Sequence, residues 1–331
     1  MSFDQVYGHK KNIQLFKKKL KNDSISHSYI FDGKEGIGKK LFAINLIKAI
    51  LCKKNIENPC EKCISCKKIN HFNHPDVKII KPDGNSIKNK QIKDFQNFLR
   101  FKPNESEYKF ILIDDGEKLT KSAQNTILKV LEEPPDYAKI FFVVKNVNML
   151  LDTIISRGQV INFKSLSNKE MSRYIDENYK MSSEKQNMIK IFSNGIVKNA
   201  QKAIESKDFI DLRNKTIEYC NQLIHNQIIN SVKGINFLKE NKEQIDLIFE
   251  IMILWFRDLM IYKVNKNKNL IINKDKLDII EKEVYKLADK NLIKIIENIQ
   301  KSKKNLEKNI NFKLIIDYLI LNIIDPGGKE W

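Results

Sequence analysis

The stretch that decides the fold reads GKEGIGKK, from Gly33 to Lys40. It follows a predicted strand at Tyr29–Phe31 and precedes a helical pattern at Leu41–Leu51. It satisfies the first seven positions of the phosphate-loop pattern G-x-x-x-x-G-K-[ST], in which backbone N–H groups and a helix N-terminus cradle phosphate. A chance Gly-Lys pair is the alternative in so lysine-rich a chain. The concentration of glycine here favours the phosphate loop, because the stretch contains Gly33, Gly36 and Gly38.

Lys39 and Lys40 set the expected chemistry of this loop. Lys39 stands where the side chain reaches the outer phosphates of ATP or ADP. Lys40 stands where a Ser or Thr hydroxyl normally ligates magnesium. An ammonium group cannot ligate a cation, so we expect weak nucleotide binding and poor metal-assisted hydrolysis.

A second apolar run, Phe110–Ile113, delivers Asp114 and Asp115 to the end of a predicted strand. Open α/β sheets bind ligands at that edge. Asp114 fits a metal-associated acidic position. Asp115 stands where an ATPase of this kind usually has Glu, and a displacement of about 1 Å from the attacking water can cost about a hundredfold in rate. The alternative is that both aspartates only cap the next segment.

The rest of the chain predicts an α/β domain followed by helices. Short apolar runs alternate with helical patterns up to Phe163, which indicates a mainly parallel sheet with helices on both faces. Beyond Phe163 the apolar residues follow helical spacing, as in the predicted helix Leu277–Ala288. We therefore expect an α/β nucleotide-binding-type domain over residues 1–164, a small helical lid over 165–206 and a larger helical domain over 207–331. The predicted strands are Tyr29–Phe31, Val77–Ile80, Lys109–Ile113, Ile140–Val144 and Val160–Phe163.

Four of the five cysteines form a cluster with the spacing C-x7-C-x2-C-x2-C, and they are Cys52, Cys60, Cys63 and Cys66. Four thiolates can surround a tetrahedral zinc ion with no open position, which predicts a structural zinc site. An iron–sulfur cluster is the alternative, although the usual fourth downstream cysteine is lacking. His71 and His74 are expected to be bystanders, and Cys220 a buried apolar residue.

Composition narrows the class of protein. The net charge of +18 suggests nucleic acid, but nearly all the basic residues are lysine, as the drift of an AT-rich genome would also produce. The five arginines are Arg100, Arg157, Arg173, Arg213 and Arg257. No signal peptide or membrane-length apolar run is evident, so we expect a cytoplasmic protein without a membrane partner. In that compartment, clustered cysteines indicate a metal before they indicate disulfides.

Taken together, the motifs resemble the clamp-loader AAA+ family of bacterial DNA polymerase III. Phe3–His9 looks like the N-terminal segment of these proteins, and His27–Gly33 like their first core strand. The four-cysteine insertion and the segment Asn125–Pro135 are distinctive of the group. Thr153–Gly158 resembles the family's Ser-Arg-Cys motif, with Gly in place of Cys. Trp255–Asp258 looks like part of the C-terminal collar domain.

The resemblance implies an AAA+ domain with a zinc insertion, a helical lid and a helical collar. The family's motif arginine reaches a neighbour's bound ATP, and here that residue is Arg157. Lys198 matches a position where an active motor carries Arg, which implies weakened sensing of nucleotide. The implied partners are the gamma/tau and delta subunits in a hetero-oligomer, with the sliding clamp and primed DNA reached through the complex.

The family contains both an ATP-hydrolysing gamma/tau motor and a companion of similar layout that hydrolyses little ATP. Lys40 and Asp115 favour the companion. Two alternatives remain, namely that the chain is itself the motor, or that it is a free-standing zinc and DNA-binding protein using its lysines. Turnover of ATP by the isolated chain would indicate the first, and tight, salt-sensitive binding of duplex DNA the second.

Overall fold

The computed structural model describes residues 2–54, 58–206, 208–225, 236–306 and 310–326. The chain divides into two compact units. The first comprises Met1–Tyr179 with Gly195–Lys198, and the second comprises Lys180–Asn194 with Asn199–Trp331. The division into three domains remains a prediction. Its limits at Met1, residue 207 and Trp331 fall outside the described residues.

The first unit is built on five strands, numbered β1 to β5 in chain order. They are Ser28–Asp32, Val77–Ile80, Lys109–Ile113, Ala138–Val144 and Gln159–Asn162. Neighbouring strands run parallel, in the order β2-β3-β4-β1-β5. Parallel strands end at the same edge of a sheet, so the segments that follow β1, β4 and β3 lie side by side. The predicted α/β fold is confirmed.

The helices α1 to α7 of this unit are Lys10–Lys21, Lys39–Leu51, Ile64–Asn70, Asn89–Leu99, Lys121–Glu132, Asp152–Ile155 and Asn168–Asn178. Two apolar cores lie on opposite faces of the sheet, because successive strand side chains alternate. Along β4, Phe141 packs with α1 and α2, whereas Phe142 packs with α4 and α5. Helices on both faces explain why β3 and β4 are buried throughout.

Several element ends differ slightly from the sequence prediction, and β1 and β5 each begin one residue earlier than predicted. β4 begins at Ala138 rather than Ile140. The charged residue Lys139 obscured this start in the sequence, although its side chain is buried and its ammonium group has local partners. That group donates to the Ile25 carbonyl at 3.0 Å and lies 4.7 Å from the centre of the Tyr108 ring. Helix α5 ends at Glu132, since Glu133, the residue before Pro134, is pushed out of the helical region.

Helices α8 to α14 are Ser183–Ser193, Val197–Glu205, Phe209–Ile224, Ile245–Asn265, Leu277–Glu283, Asp289–Leu306 and Phe312–Ile324. In the second unit α11 packs against α10 and α13, and α14 packs against α13 and α10. Fully buried Trp255 of α11 donates its indole N–H to the Asn221 side chain of α10 at 3.0 Å. The predicted C-terminal helical region is confirmed.

Helix α12 is shorter than the predicted Leu277–Ala288. Val284 and Leu287 are still buried, so the apolar pattern persists while the backbone turns towards α13. The buried apolar residues of this turn therefore led to the prediction of a longer helix. Among the described residues, the structure contains no helix with the length and apolar character that crossing a membrane requires.

Candidate functional site

The phosphate loop joins β1 to α2. Gly38 caps α2 with a φ of 102°, a value that side chains disfavour and glycine tolerates. Lys39, the first residue of α2, is almost fully buried. Its ammonium group donates to the carbonyl oxygens of Gly33 and Lys34 within the loop. Burial lowers the pKa of Lys39. The ammonium group of Lys39 is therefore held by carbonyl groups of its own loop.

Lys40 and Asp114 form an ion pair across the mouth of this loop. The Lys40 Nζ lies 2.6 Å from Asp114 Oδ2, and Asp114 directly follows β3. A phosphate-bound magnesium ion needs a hydroxyl from the loop and an acidic residue from this strand. Here the loop offers an ammonium group, and that group occupies the carboxylate. These residues do not fit a magnesium–nucleotide complex.

Asp115 pairs with a different lysine. Its backbone is left-handed, with a φ of 55°, and its carboxylate lies 3.2 Å from the ammonium of Lys118 one turn later. The side chain of Glu117, with 5% exposure, lies 3.9 Å from the ammonium of Lys145. It accepts a hydrogen bond from the backbone N–H of Lys145 at 3.2 Å. Sequence reasoning did not identify Glu117, because no pattern fixes the second residue after the aspartate pair.

Lys198, at the start of α9, contacts the phosphate loop. Its ammonium group lies 2.5 Å from Glu35, and the Lys145 ammonium lies 2.5 Å from the other oxygen of the same carboxylate. Partial burial raises the pKa of Glu35, but the hydrogen bonds from Lys145 and Lys198 outweigh it and lower the value to about 2. Lys145 follows β4, so both lysines reach the loop from distant segments.

Arg157 lies between α6 and β5, and about a third of its side chain is exposed. One guanidinium nitrogen donates to the Glu132 carboxylate at 3.0 Å, and another to the Thr153 carbonyl at 3.0 Å. The adjacent Gly158 packs so closely that an added Cβ would lie 2.9 Å from Ile30. Glycine therefore fits this position in place of the Cys of the family's motif, because the neighbouring core leaves no space for a side chain. Nothing in the sequence pattern marks Glu132 as the partner of Arg157.

The predicted metal site comes together in the structure. The Sγ atoms of the four clustered cysteines all lie within 4.8 Å of one another, a separation suited to tetrahedral coordination. Backbone N–H groups of Lys62 and Cys63 lower the pKa of Cys60 to about 6, which favours its thiolate. Residues 55–57 of the insertion lie outside the described residues. The donor set fits a structural metal ion of the zinc type. The four residues are Cys52, Cys60, Cys63 and Cys66.

The module is anchored to α2 by a buried ion pair that sequence reasoning missed. Lys48 is fully buried, and its ammonium group lies 2.6 Å from Glu61 and 3.0 Å from the Asn70 side chain. The anchor spans α2, the cysteine loop and the end of α3. A lysine on the apolar face of α2 was the available signal.

The remaining predicted bystanders behave as ordinary structural residues. The Nδ1 atom of His74 accepts from the Asp76 backbone at 3.1 Å, and the exposed His71 caps α3. Neither belongs to the group of candidate metal ligands found among the described residues. Cys220 is fully buried in α10.

Comparison with known proteins gives matches along most of the chain. The family model described as "DNA polymerase III, delta subunit" matches residues 8–167, and that described as "DNA polymerase III, delta subunit, C terminal" matches residues 207–325. DNA polymerase III subunit delta' of Bacillus subtilis is 29% identical over 318 residues, which cover 93% of this chain and 94% of that protein.

More distant matches include another subunit of the same polymerase. Subunit tau of Bacillus subtilis is 26% identical over 79% of this chain, and the match covers 50% of tau. A solved structure of a gamma subunit-related protein from Thermotoga maritima aligns over 95% of this chain and 98% of its own, with 15% identity and a TM-score of 0.43.

Proposed function

The chain belongs to the clamp-loader family of DNA polymerase III subunits, in its delta-prime branch, and from this membership we propose how its residues serve the loader. It contributes structure to the complex and presents Arg157 to the ATP site of a neighbouring subunit. It hydrolyses little or no ATP at its own phosphate loop. In this role it helps the complex to place the sliding clamp on primed DNA during replication in the cytoplasm.

The ion pair between Lys40 and Asp114 is the observation that carries this proposal. Hydrolysis of a nucleotide needs a metal ion that bridges the outer phosphates. At 2.6 Å from the carboxylate, the Lys40 ammonium takes the position of a cation while offering no ligand for one. This arrangement supports a companion subunit and argues against an ATP-hydrolysing motor.

The surroundings of Arg157 support a role towards another subunit. Its guanidinium is partly exposed, and two of its nitrogens are held by Glu132 and by a backbone carbonyl. A planar guanidinium has further N–H groups available for phosphate oxygens. Holding it before the neighbour arrives reduces the conformational freedom that would be lost on contact.

The last helix supports assembly with gamma/tau and delta subunits. Helix α14 exposes Leu314, Tyr318 and Leu321. Their spacing of four and three residues places them on one face of the helix. We name this surface the α14 stripe. A large apolar stripe exposed on one chain is typical of an interface, and we assign it to the collar.

We assign zinc to the four-cysteine cluster. Bound there, the ion would be coordinatively closed by thiolates and would stabilise the module without taking part in hydrolysis. The module's residues would then serve only to hold the insertion between α2 and β2.

The direct test uses the assembled complex. Purified chain is mixed with gamma/tau and delta subunits, and ATP hydrolysis is measured with primed DNA and clamp. We expect Arg157→Ala to lower the stimulated rate, because the site that it faces loses about a thousandfold in rate. Arg173→Ala is the matched control, since Arg173 is exposed and pairs only locally with Glu177 at 2.6 Å. Unchanged hydrolysis in an intact Arg157→Ala complex would refute the role.

A further inference from the structure

Glu35 is the acidic residue of the phosphate loop, and it joins three segments of the first unit. Its two carboxylate oxygens lie 2.5 Å from Lys145 and 2.5 Å from Lys198. Lys145 follows β4, and Lys198 belongs to the segment Gly195–Lys198. One carboxylate thus collects two ammonium groups that are far apart in sequence.

Glu35 places a negative charge within the phosphate loop, and two lysines from other segments pair with it. A phosphate loop directs its anion towards the edge where the strands end, and cations from neighbouring segments complete the site. Glu35 provides the anion from within the loop. The two lysines lower its pKa to about 2, so the carboxylate remains charged at physiological pH.

The backbone beneath this contact is tightly packed. The Lys198 N–H donates to the Gly36 carbonyl at 3.1 Å. Gly36 has a φ of 79°, and a Cβ added there would lie 2.4 Å from the Lys198 Cβ. The loop and the start of α9 therefore meet through backbone as well as through charge, and residue 36 must be glycine for this contact to form.

The neighbouring ion pair, that of Lys40 with Asp114, concerns the metal ion of a bound nucleotide rather than its phosphate. Lys40 lies 2.6 Å from Asp114, the residue that would otherwise help to hold a cation. We propose that Glu35 and Lys40 are built-in replacements for the phosphate and the metal ion of a nucleotide, and that they determine the site's specificity by occupying it. This inference deepens the proposed non-hydrolysing site and rests on that part of the proposed function.

These ion pairs are partly exposed, so we expect their effect in anion binding rather than in folding stability. The side chains of Glu35, Lys145 and Lys198 are 47%, 39% and 51% exposed. Ion pairs of this kind contribute little to folding stability. Their main consequence is competition, because an external phosphate must displace a carboxylate that is always present.

The test measures anion binding by the isolated full chain. Inorganic pyrophosphate is titrated calorimetrically into wild type and Glu35→Gln in magnesium-free buffer. We expect Glu35→Gln to bind at least about tenfold more tightly, because two charge-assisted contacts become available. Glu105→Gln is the matched control, since Glu105 is 43% exposed and lies 2.5 Å from Lys68. It should bind as wild type does.

Two further variants separate the replaced anion from the replaced cation. Adding Lys198→Gln to Glu35→Gln should abolish most of the gain in pyrophosphate affinity. Adding Lys40→Thr to Glu35→Gln should make the affinity for ADP rise with magnesium, since the hydroxyl and the released Asp114 can then serve a metal ion. Equal pyrophosphate affinity of wild type and Glu35→Gln would overturn the anion replacement. No magnesium effect in the Lys40→Thr variant would overturn the cation replacement.

A folding control keeps the result interpretable. If Glu35→Gln does not fold, a second variant is made in which Glu35, Lys145 and Lys198 are all replaced by glutamine. This variant lacks the unpaired lysine charges and should recover the wild-type melting temperature. Failure to recover it would count against the proposal. These measurements need no partner subunit, so they stand or fall separately from the role of Arg157 in the assembled complex.

Discussion

At the residue scale, Arg157 is oriented by the Glu132 carboxylate together with the Thr153 carbonyl. The Glu132 side chain is 50% exposed and lies 3.0 Å from the guanidinium. Glu132 is the last residue of α5, and Glu133 separates it from the Pro134-Pro135 pair. A rigid helix end therefore sets the place of a residue proposed to act on another subunit.

The first prediction concerns this pair. Glu132→Gln should lower DNA-stimulated ATP hydrolysis by the assembled complex about tenfold at the site facing Arg157, because a small misplacement of a catalytic group is costly. The effect should be smaller than that of Arg157→Ala. Glu133→Gln, one residue further along, serves as the control. Combining Glu132→Gln with Arg157→Ala should add no further loss, and an additive loss would contradict the positioning role.

The other arginines illustrate what the sequence can and cannot indicate. Arginine is scarce in this chain, and Arg213 has a structural role within the second unit. It is buried and makes a bidentate contact with Asp275, at 2.9 Å and 2.7 Å. Only the structure separates this structural arginine from the exposed Arg157, because burial of a single side chain leaves no local pattern.

At the element scale, the four-cysteine module is the feature most open to chemical test. Cys63 caps α3 by accepting from the Cys66 N–H, so the ligands also organise the helix. The buried Lys48 anchors the module to α2. Loss of the metal ion should therefore disturb α3 and the loop before it.

The second prediction follows from that geometry. Cys63→Ser should lower the metal content from about one zinc ion per chain to near zero and destabilise the protein by at least about 2 kcal/mol. Metal analysis and thermal unfolding measure the two effects. Cys220→Ser should retain the metal, since Cys220 is buried in α10. Full zinc content in Cys63→Ser, or an iron–sulfur absorbance in wild type, would contradict the assignment.

The elements themselves were largely predictable from sequence. Each of the five strands was expected near its observed place, because buried parallel strands give short continuous apolar runs. The start of β4 was predicted too late because Lys139 is charged. The predicted α12 was too long because the turn that follows it contains buried apolar residues. The contact of Glu35 with Lys198 could not be foreseen, since it joins residues 163 positions apart. Ion pairs of that separation follow from the fold and leave no spacing to detect.

At the scale of the whole molecule, the net charge of +18 is the excess of 59 basic over 41 acidic residues, and ion pairs within the chain leave this excess unchanged. Several lysines near the phosphate loop have carboxylate partners, as Lys40, Lys145 and Lys198 do. The positive charge at the loop is therefore balanced locally. It is consistent with a subunit that reaches nucleic acid through a complex.

The third prediction concerns assembly through the α14 stripe. Replacing Leu314 and Leu321 with Ser should weaken association with gamma/tau and delta subunits by at least about tenfold, because two exposed leucines lose apolar contact area. The fold should be unaffected, since the two side chains are 64% and 66% exposed. Leu270→Ser, 47% exposed in a loop of the same unit, is the control. Co-elution of all variants with equal affinity would exclude the stripe as the interface.

The ion pair of Lys40 with Asp114 has a consequence for the living cell. A free ligand occupies its site according to its concentration, whereas a tethered side chain cannot be diluted away. On the proposed replacement of nucleotide by side chains, the phosphate loop of this subunit would not respond to the ratio of ATP to ADP. In a starving cell, the timing of a loader that contains this chain would then come from the other ATP sites of the complex.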